Sequence, residues 1–171
     1  MTIGAGRGIP PGASGRPAAW EDAIAFLALR PRSSEEVRRR LRRRGFSDDE
    51  TAEVLARLTA AGYLDDAAFA AEWARSRQAR QGLGPLRLSR ELKAKGIPDG
   101  EIAAALDGLR QEREVAEVAA ETAARRMQSL RALSPEVGRR RLAAYLERRG
   151  FPTELILRLC RAHFPRGTDP D

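Results

Sequence analysis

A leucine, three intervening residues, a glycine and a large apolar residue recur three times along the chain. The copies are Leu41-Arg42-Arg43-Arg44-Gly45-Phe46, Leu92-Lys93-Ala94-Lys95-Gly96-Ile97 and Leu146-Glu147-Arg148-Arg149-Gly150-Phe151, with glycines 51 and 54 residues apart. Self-similarity at such a period is the signature of a repeat architecture, in which each copy is one supersecondary unit. With the glycines aligned, Val37, Leu88 and Leu142 coincide four residues before the shared leucine. Beyond the glycine, Thr51 coincides with Ile102 and Ile156, and Leu55 with Leu106 and Cys160.

The register predicts helices. Apolar residues at i and i+4 form one stripe at 3.6 residues per turn. A glycine after a basic residue is the expected left-handed stop, and the basic residue opposes the helix dipole. The next helix starts at once: Ser47-Asp48-Asp49-Glu50 has capping-box spacing, and Pro98 and Pro152 occupy the matching position. Phe46, Ile97 and Phe151 stand where an apolar residue packs back onto the first turn. A further helix precedes each pair, from about Trp20 to Arg30, from Asp65 or Asp66 to about Gln81, and from about Gln111 to Leu130. No alternating β-branched run suggests a strand. The expected fold is all-α, an elongated array of three tandem three-helix repeats at 19–64, 65–110 and 111–165. It follows a disordered Gly/Pro-rich lead at 1–18 and precedes a tail at 166–171. No unit carries obvious apolar surface to close a core alone, so neighbours are expected to stack.

Charge narrows the function. Lysine and arginine number 31 against 24 acids, for a net charge of +7, and only Lys93 and Lys95 are lysines. Arginine suits bidentate contact with phosphate or carboxylate, although a GC-rich genome would also over-supply it. Codon bias does not explain clustering: Arg38 to Arg44 holds six arginines in seven residues. On a helix, Val37 and Leu41 point inward while Arg38, Arg39, Arg42 and Arg43 cover the opposite face, and Arg44 snorkels near the apolar side. Like charges four apart repel, so this face is expected to meet an anion. In the later copies Arg90 matches Arg39, Lys93 matches Arg42 and Arg148 matches Arg43, while Arg139, Arg140 and Arg141 form a second cluster out of register. Arg38, Arg39, Arg42, Arg43, Arg90, Lys93, Arg148, Arg139 and Arg140 are the candidate partner or polyanion contacts. Aromatics make up 5% of the chain, too few for base-stacking platforms, so contacts with DNA would fall on phosphates and be salt-sensitive.

Signals for other classes fail. No apolar run approaches a membrane span, no secretory signal stands at the N-terminus, and a single cysteine fits a reducing cytoplasm. Asp65 and Asp66, with no histidine and no third acid nearby in sequence, read as helix caps. Phe69 and Trp73 read as the buried stripe of the following helix. His163 aligns with Leu58 and Leu109, which puts it on a largely apolar face near the C-terminus, and Cys160 aligns with Leu55 and Leu106, which marks it as a small core residue. Neither Gly4-Ala5-Gly6-Arg7-Gly8 nor Gly82-Leu83-Gly84-Pro85 has the context of a phosphate loop. No enzyme activity, cofactor or metal is expected.

One ordered set of residues resembles a known family. It comprises Arg44-Gly45-Phe46-Ser47, Val54-Leu55, Leu58, Gly62-Tyr63-Leu64-Asp65-Asp66, Phe69-Ala70, Gly84, Glu91 to Ile97 and Leu146 to Phe151. Over residues 20 to 164 the chain is similar to the RecX family of bacterial recombination regulators. The resemblance implies three-helix repeats lying along the groove of the RecA recombinase filament on DNA. It also implies restraint of filament growth, ATP hydrolysis, strand exchange and co-protease activity, without covalent chemistry. It supplies no residue-level binding motif, so the contact residues above come from the charge map. A monomer is expected. Two other readings remain open at this point: a general DNA-binding protein acting through basic helices, and a structural adaptor whose arginines reflect genome composition.

Overall fold

The computed structural model describes residues 17–165, and the lead at 1–16 and the tail from 166 lie outside the described residues. Nine α-helices and no strand are present among the described residues. The first unit holds α1 (Pro17–Leu29), α2 (Ser34–Arg43) and α3 (Asp48–Ala60). The second holds α4 (Asp66–Gln81), α5 (Pro85–Ala94) and α6 (Asp99–Glu112), and the third α7 (Val115–Met127), α8 (Pro135–Arg148) and α9 (Thr153–His163). The architecture is therefore all-α, with three three-helix units in tandem.

The recurring motif is a hydrogen-bonded helix stop. In α2, the Gly45 N–H donates to the Arg42 carbonyl and the Phe46 N–H to the Leu41 carbonyl. The same pair of bonds joins Gly96 to Lys93 and Ile97 to Leu92, then Gly150 to Glu147 and Phe151 to Leu146. This is the Schellman arrangement, in which the residue after the glycine also packs on the third residue from the helix end. Each glycine has positive φ, at 90°, 76° and 80°. The leucine, the glycine and the apolar residue are thus three parts of one turn.

Helix starts vary more. Ser33 and Ser47 each close a capping box with Glu36 and Glu50. Asp65 caps α4 through the Ala68 N–H, while Pro98 and Pro152 sit at cap positions with no side-chain bond. Two bounds differ from the sequence reading. α1 begins at Pro17, because Ala19 is wholly buried and extends the packed face by a turn. α7 begins only at Val115, because α6 has no glycine stop and runs on until Arg113 turns extended at φ −162°, ψ 132°.

Each unit buries its own separate apolar cluster, centred on Val37, Leu41 and Leu58, on Leu88, Leu92 and Ile97, and on Leu142, Leu146 and Phe151. The expected stacking thus joins clusters that stay separate, and at the second joint it adds cover to Phe151 from Gly84. Aromatic and cationic groups supply what aliphatic residues lack. Phe69 and Trp73 stack with centroids 5.8 Å apart, and Lys95 lies 4.0 Å over Trp73. Arg32 covers Phe26 at 3.9 Å and Arg149 covers Tyr145 at 4.2 Å. An arginine above an aromatic face buries its stem and adds cation–π attraction.

Between units the contact is narrow and repeats its chemistry. The Ser33 hydroxyl donates to the Lys95 carbonyl at 2.6 Å, so the start of α2 seats on the α5–α6 turn. The Gly84 N–H donates to the Arg149 carbonyl at 2.7 Å and the Leu86 N–H to the Gly150 carbonyl at 3.1 Å, so the start of α5 seats on the α8–α9 turn. A joint consists of one unit's second helix starting on the next unit's Schellman turn.

Candidate polyanion-binding surface

The arginine run occupies α2, whose buried face is Val37 and Leu41. Its charges are largely met within the chain. Glu35, in the first turn of the same helix, pairs with Arg38 at 2.5 Å and Arg39 at 2.9 Å. Arg42 reaches Asp48 at the start of α3, at 2.8 Å. Asp22 of α1 accepts two bonds from Arg40, at 2.9 and 2.8 Å, and a third from Arg44 at 3.0 Å. Hydrogen bonding from Arg40 outweighs burial and holds the Asp22 carboxyl below the ordinary carboxylate range, with Arg44 adding to it. Partial burial pushes Glu35 up, but bonds from Arg38 and Arg39 more than offset it, and its pKa is also lowered.

The expectation that repulsion on this face demands an external anion is therefore corrected. The helix supplies its own anion one turn earlier, and α1 and α3 supply two more. Arg44, placed near the apolar side by the helical wheel, reaches Asp22 with its guanidinium still half exposed. Of the four candidates in this unit, Arg43 alone has no carboxylate partner among the described residues.

Later units divide differently. Lys93 pairs with Asp99 at 2.9 Å, whereas Arg90 has no ion pair among the described residues. In α8, no carboxylate pairs with Arg139, Arg140, Arg141 or Arg148 among the described residues. Arg139 and Arg140 line a cleft of about 810 Å³ between α8 and α9, together with Glu136, Leu157 and Arg161. Leu157 on its rim is 53% exposed. Cys160 at the floor is buried and its thiol donates to the Arg139 carbonyl at 3.8 Å. Burial pushes that thiol up despite the nearby Arg139.

The joints bring basic residues of different units together. Arg39 donates to the Ala94 carbonyl at 3.3 Å, next to Lys93 and Lys95. At the second joint the Arg87 backbone presses on Gly150, beside Arg148 and Arg149.

The paired acids Asp65 and Asp66 bond to backbone N–H groups at helix starts. Asp65 caps α4, and Asp66 accepts the Ser34 N–H at 2.8 Å across the first joint. The fold does bring a third acid, Glu101 of α6, into the same cleft, which sequence distance concealed. Burial raises the Glu101 pKa, aided by Asp66 and Asp65. No group of three His, Cys, Asp or Glu side chains is placed to hold a metal ion among the described residues. No helix there is long and apolar enough to cross a membrane.

Known proteins share both sequence and fold with the chain. Family models for the first, second and third three-helix domains of RecX match residues 19–58, 65–106 and 112–160. Relatives named regulatory protein RecX include one from Amycolatopsis mediterranei, 37% identical over 80% of this chain and 78% of its own length. Another, from Thermobifida fusca, is 37% identical over 91% and 86%. A third, from Mycobacterium ulcerans, is 40% identical over 83% and 84%. The crystal structure of RecX from Lactobacillus salivarius superposes with a TM-score of 0.74 at 21% identity, covering 85% of this chain and 94% of that one.

Proposed function

The chain belongs to the RecX family, and from that membership we propose that it regulates RecA by binding the RecA–DNA filament and restraining its growth, ATP hydrolysis and strand exchange. The observation that carries this reading is the three-unit array itself, with candidate arginines free of carboxylate partners among the described residues in every unit. A filament on DNA is a long periodic track, and an array of linked units can contact several protomers at once. Contacts then multiply through effective concentration without any single one being strong. Of the candidate contacts, the arginines without carboxylate partners among the described residues, Arg43, Arg90, Arg139, Arg140 and Arg148, come first. Arg38, Arg39, Arg42 and Lys93 follow, because exposed ion pairs contribute only about 0–1 kcal/mol and exchange readily for a phosphate. Regulation works by occupancy and displacement, with no bond made or broken, and a monomer acting in the cytoplasm suffices.

The test adds the purified chain to the host's RecA on single-stranded DNA and follows ATP hydrolysis and filament length. Inhibition at stoichiometric protein is expected, and unchanged hydrolysis with unchanged length overturns the reading. The unpaired arginines of α8 favour one second reading, direct binding of DNA. Equal affinity for bare DNA without RecA, falling steeply with salt, would support it.

A further inference from the structure

The joint between units is built twice within the chain, and one half of a third joint stands unused. At Gly96 an added Cβ would overlap the Glu35 side chain, and at Gly150 it would overlap the Arg87 backbone. At Gly45, with the same left-handed turn, nothing among the described residues lies within 4 Å. The residue after each glycine tells the same story: Ile97 is 4% and Phe151 3% exposed, whereas Phe46 is only partly buried. The first unit therefore presents a complete Schellman turn without the neighbour that covers the other two.

The occupied joints show what fits. The turn offers carbonyl oxygens, and the occupant donates to them from a helix start, through Ser33 or through the Gly84 and Leu86 N–H groups. A phosphate has no donor to give those carbonyls. At the first joint the occupant also brings acids, with Glu36 reaching the Lys95 ammonium at 3.2 Å. The Gly45 turn follows Arg42, Arg43 and Arg44, and Arg43 has no partner among the described residues. A second copy of the chain cannot seat as α2 and α5 do, because the position of its third unit in register with Ser33 and Gly84 is Gly138, which lies inside α8 under the Phe164 ring.

We infer that the Arg43–Phe46 turn is a docking site for a partner protein's helix N-terminus, with acidic residues in its first turn, seated as α2 and α5 seat on the two internal turns. This rests on the reading above, in which the recombinase in the filament supplies the helix. It assigns this edge to protein contact and leaves phosphate contact to the unpaired arginines of the later units.

The test uses the full chain. Gly45→Asn keeps the left-handed turn, which asparagine tolerates, but puts a side chain where the internal joints have room for none. Binding of RecA–single-stranded DNA filaments should fall at least tenfold, while affinity for bare single-stranded DNA and the circular dichroism spectrum stay unchanged. Should that variant fold poorly, hydrogen exchange on the wild-type chain decides: residues 42–47 should gain protection on the filament, together with an acidic helix start in the partner. Wild-type binding by Gly45→Asn, no protection of 42–47, or protection that arises from the chain alone as it dimerises would each overturn the inference. Failure of the wild-type chain to co-sediment with filaments would instead sink the parent reading, and this one with it.

Discussion

Single residues in this protein carry several duties, and the turn glycines separate them. Gly45 and Gly150 share a left-handed conformation, at φ 90° and 80°, but only Gly150 is pressed by another unit, through the Arg87 backbone. Alanine at Gly45 meets only the conformational cost, about 1–2 kcal/mol. At Gly150 the same substitution adds a steric overlap with main chain that cannot rotate away. Gly150→Ala is expected to lower stability by about 3 kcal/mol or more, with Gly45→Ala near the conformational figure, as read from urea unfolding monitored by circular dichroism. Equal losses would show that the second joint yields freely. The positive φ of these glycines was legible in the sequence, because a helix stop after a basic residue needs one. Their close approach was not, since it depends on which unit lies opposite. Charge pairing was misread for a related reason. The run reads as unsatisfied in sequence because Asp22 and Asp48 come from other helices, and because one acid, Glu35, serves both Arg38 and Arg39 at i,i+3 and i,i+4.

At the scale of elements, a helix start can serve its own helix or also a joint. Ser33 and Ser47 both close capping boxes, and a cap of this type contributes about 1 kcal/mol. Ser33 is fully buried and its hydroxyl also donates to the Lys95 carbonyl, whereas Ser47 is exposed and caps alone. Ser33→Ala therefore loses the cap and strands a part-buried carbonyl, for about 2 kcal/mol against about 1 kcal/mol for Ser47→Ala. Thermal melts of the two variants check the ratio, and a Ser47 loss equal to the Ser33 loss would remove the joint's share. The Ser47 box could be seen in sequence because it follows directly on a turn glycine. Ser33 follows no turn glycine, since α1 ends at Leu29 and Pro31 stands between the two helices. Counting aliphatic residues leaves out the rings of Phe26, Trp73 and Tyr145, which arginine or lysine covers, and each three-helix unit buries a separate cluster.

The whole molecule joins three self-contained cores through two narrow joints, and its charge is distributed unevenly along that line. The first unit neutralises most of its arginines internally, while α8 leaves Arg139, Arg140, Arg141 and Arg148 without a carboxylate. A polyanion contact is worth more where no internal pair must first be broken, so the third unit should dominate salt-dependent binding even though the first has the denser run. Each phosphate contact that releases a counterion contributes roughly 0.7 to the slope of log affinity against log salt on single strands. Replacing the four α8 arginines by glutamine should lower the slope for DNA-bearing filaments by about 2–3, and replacing Arg38, Arg39 and Arg42 by less than about 1. Glutamine preserves the helix, since its propensity is close to that of arginine, and none of the seven is buried. Titrations at several salt concentrations read both slopes directly. If the α2 variant shows the larger change, the internal pairs open on binding and the arginine run leads contact after all. If neither slope moves, the array holds the filament through its protein surface alone.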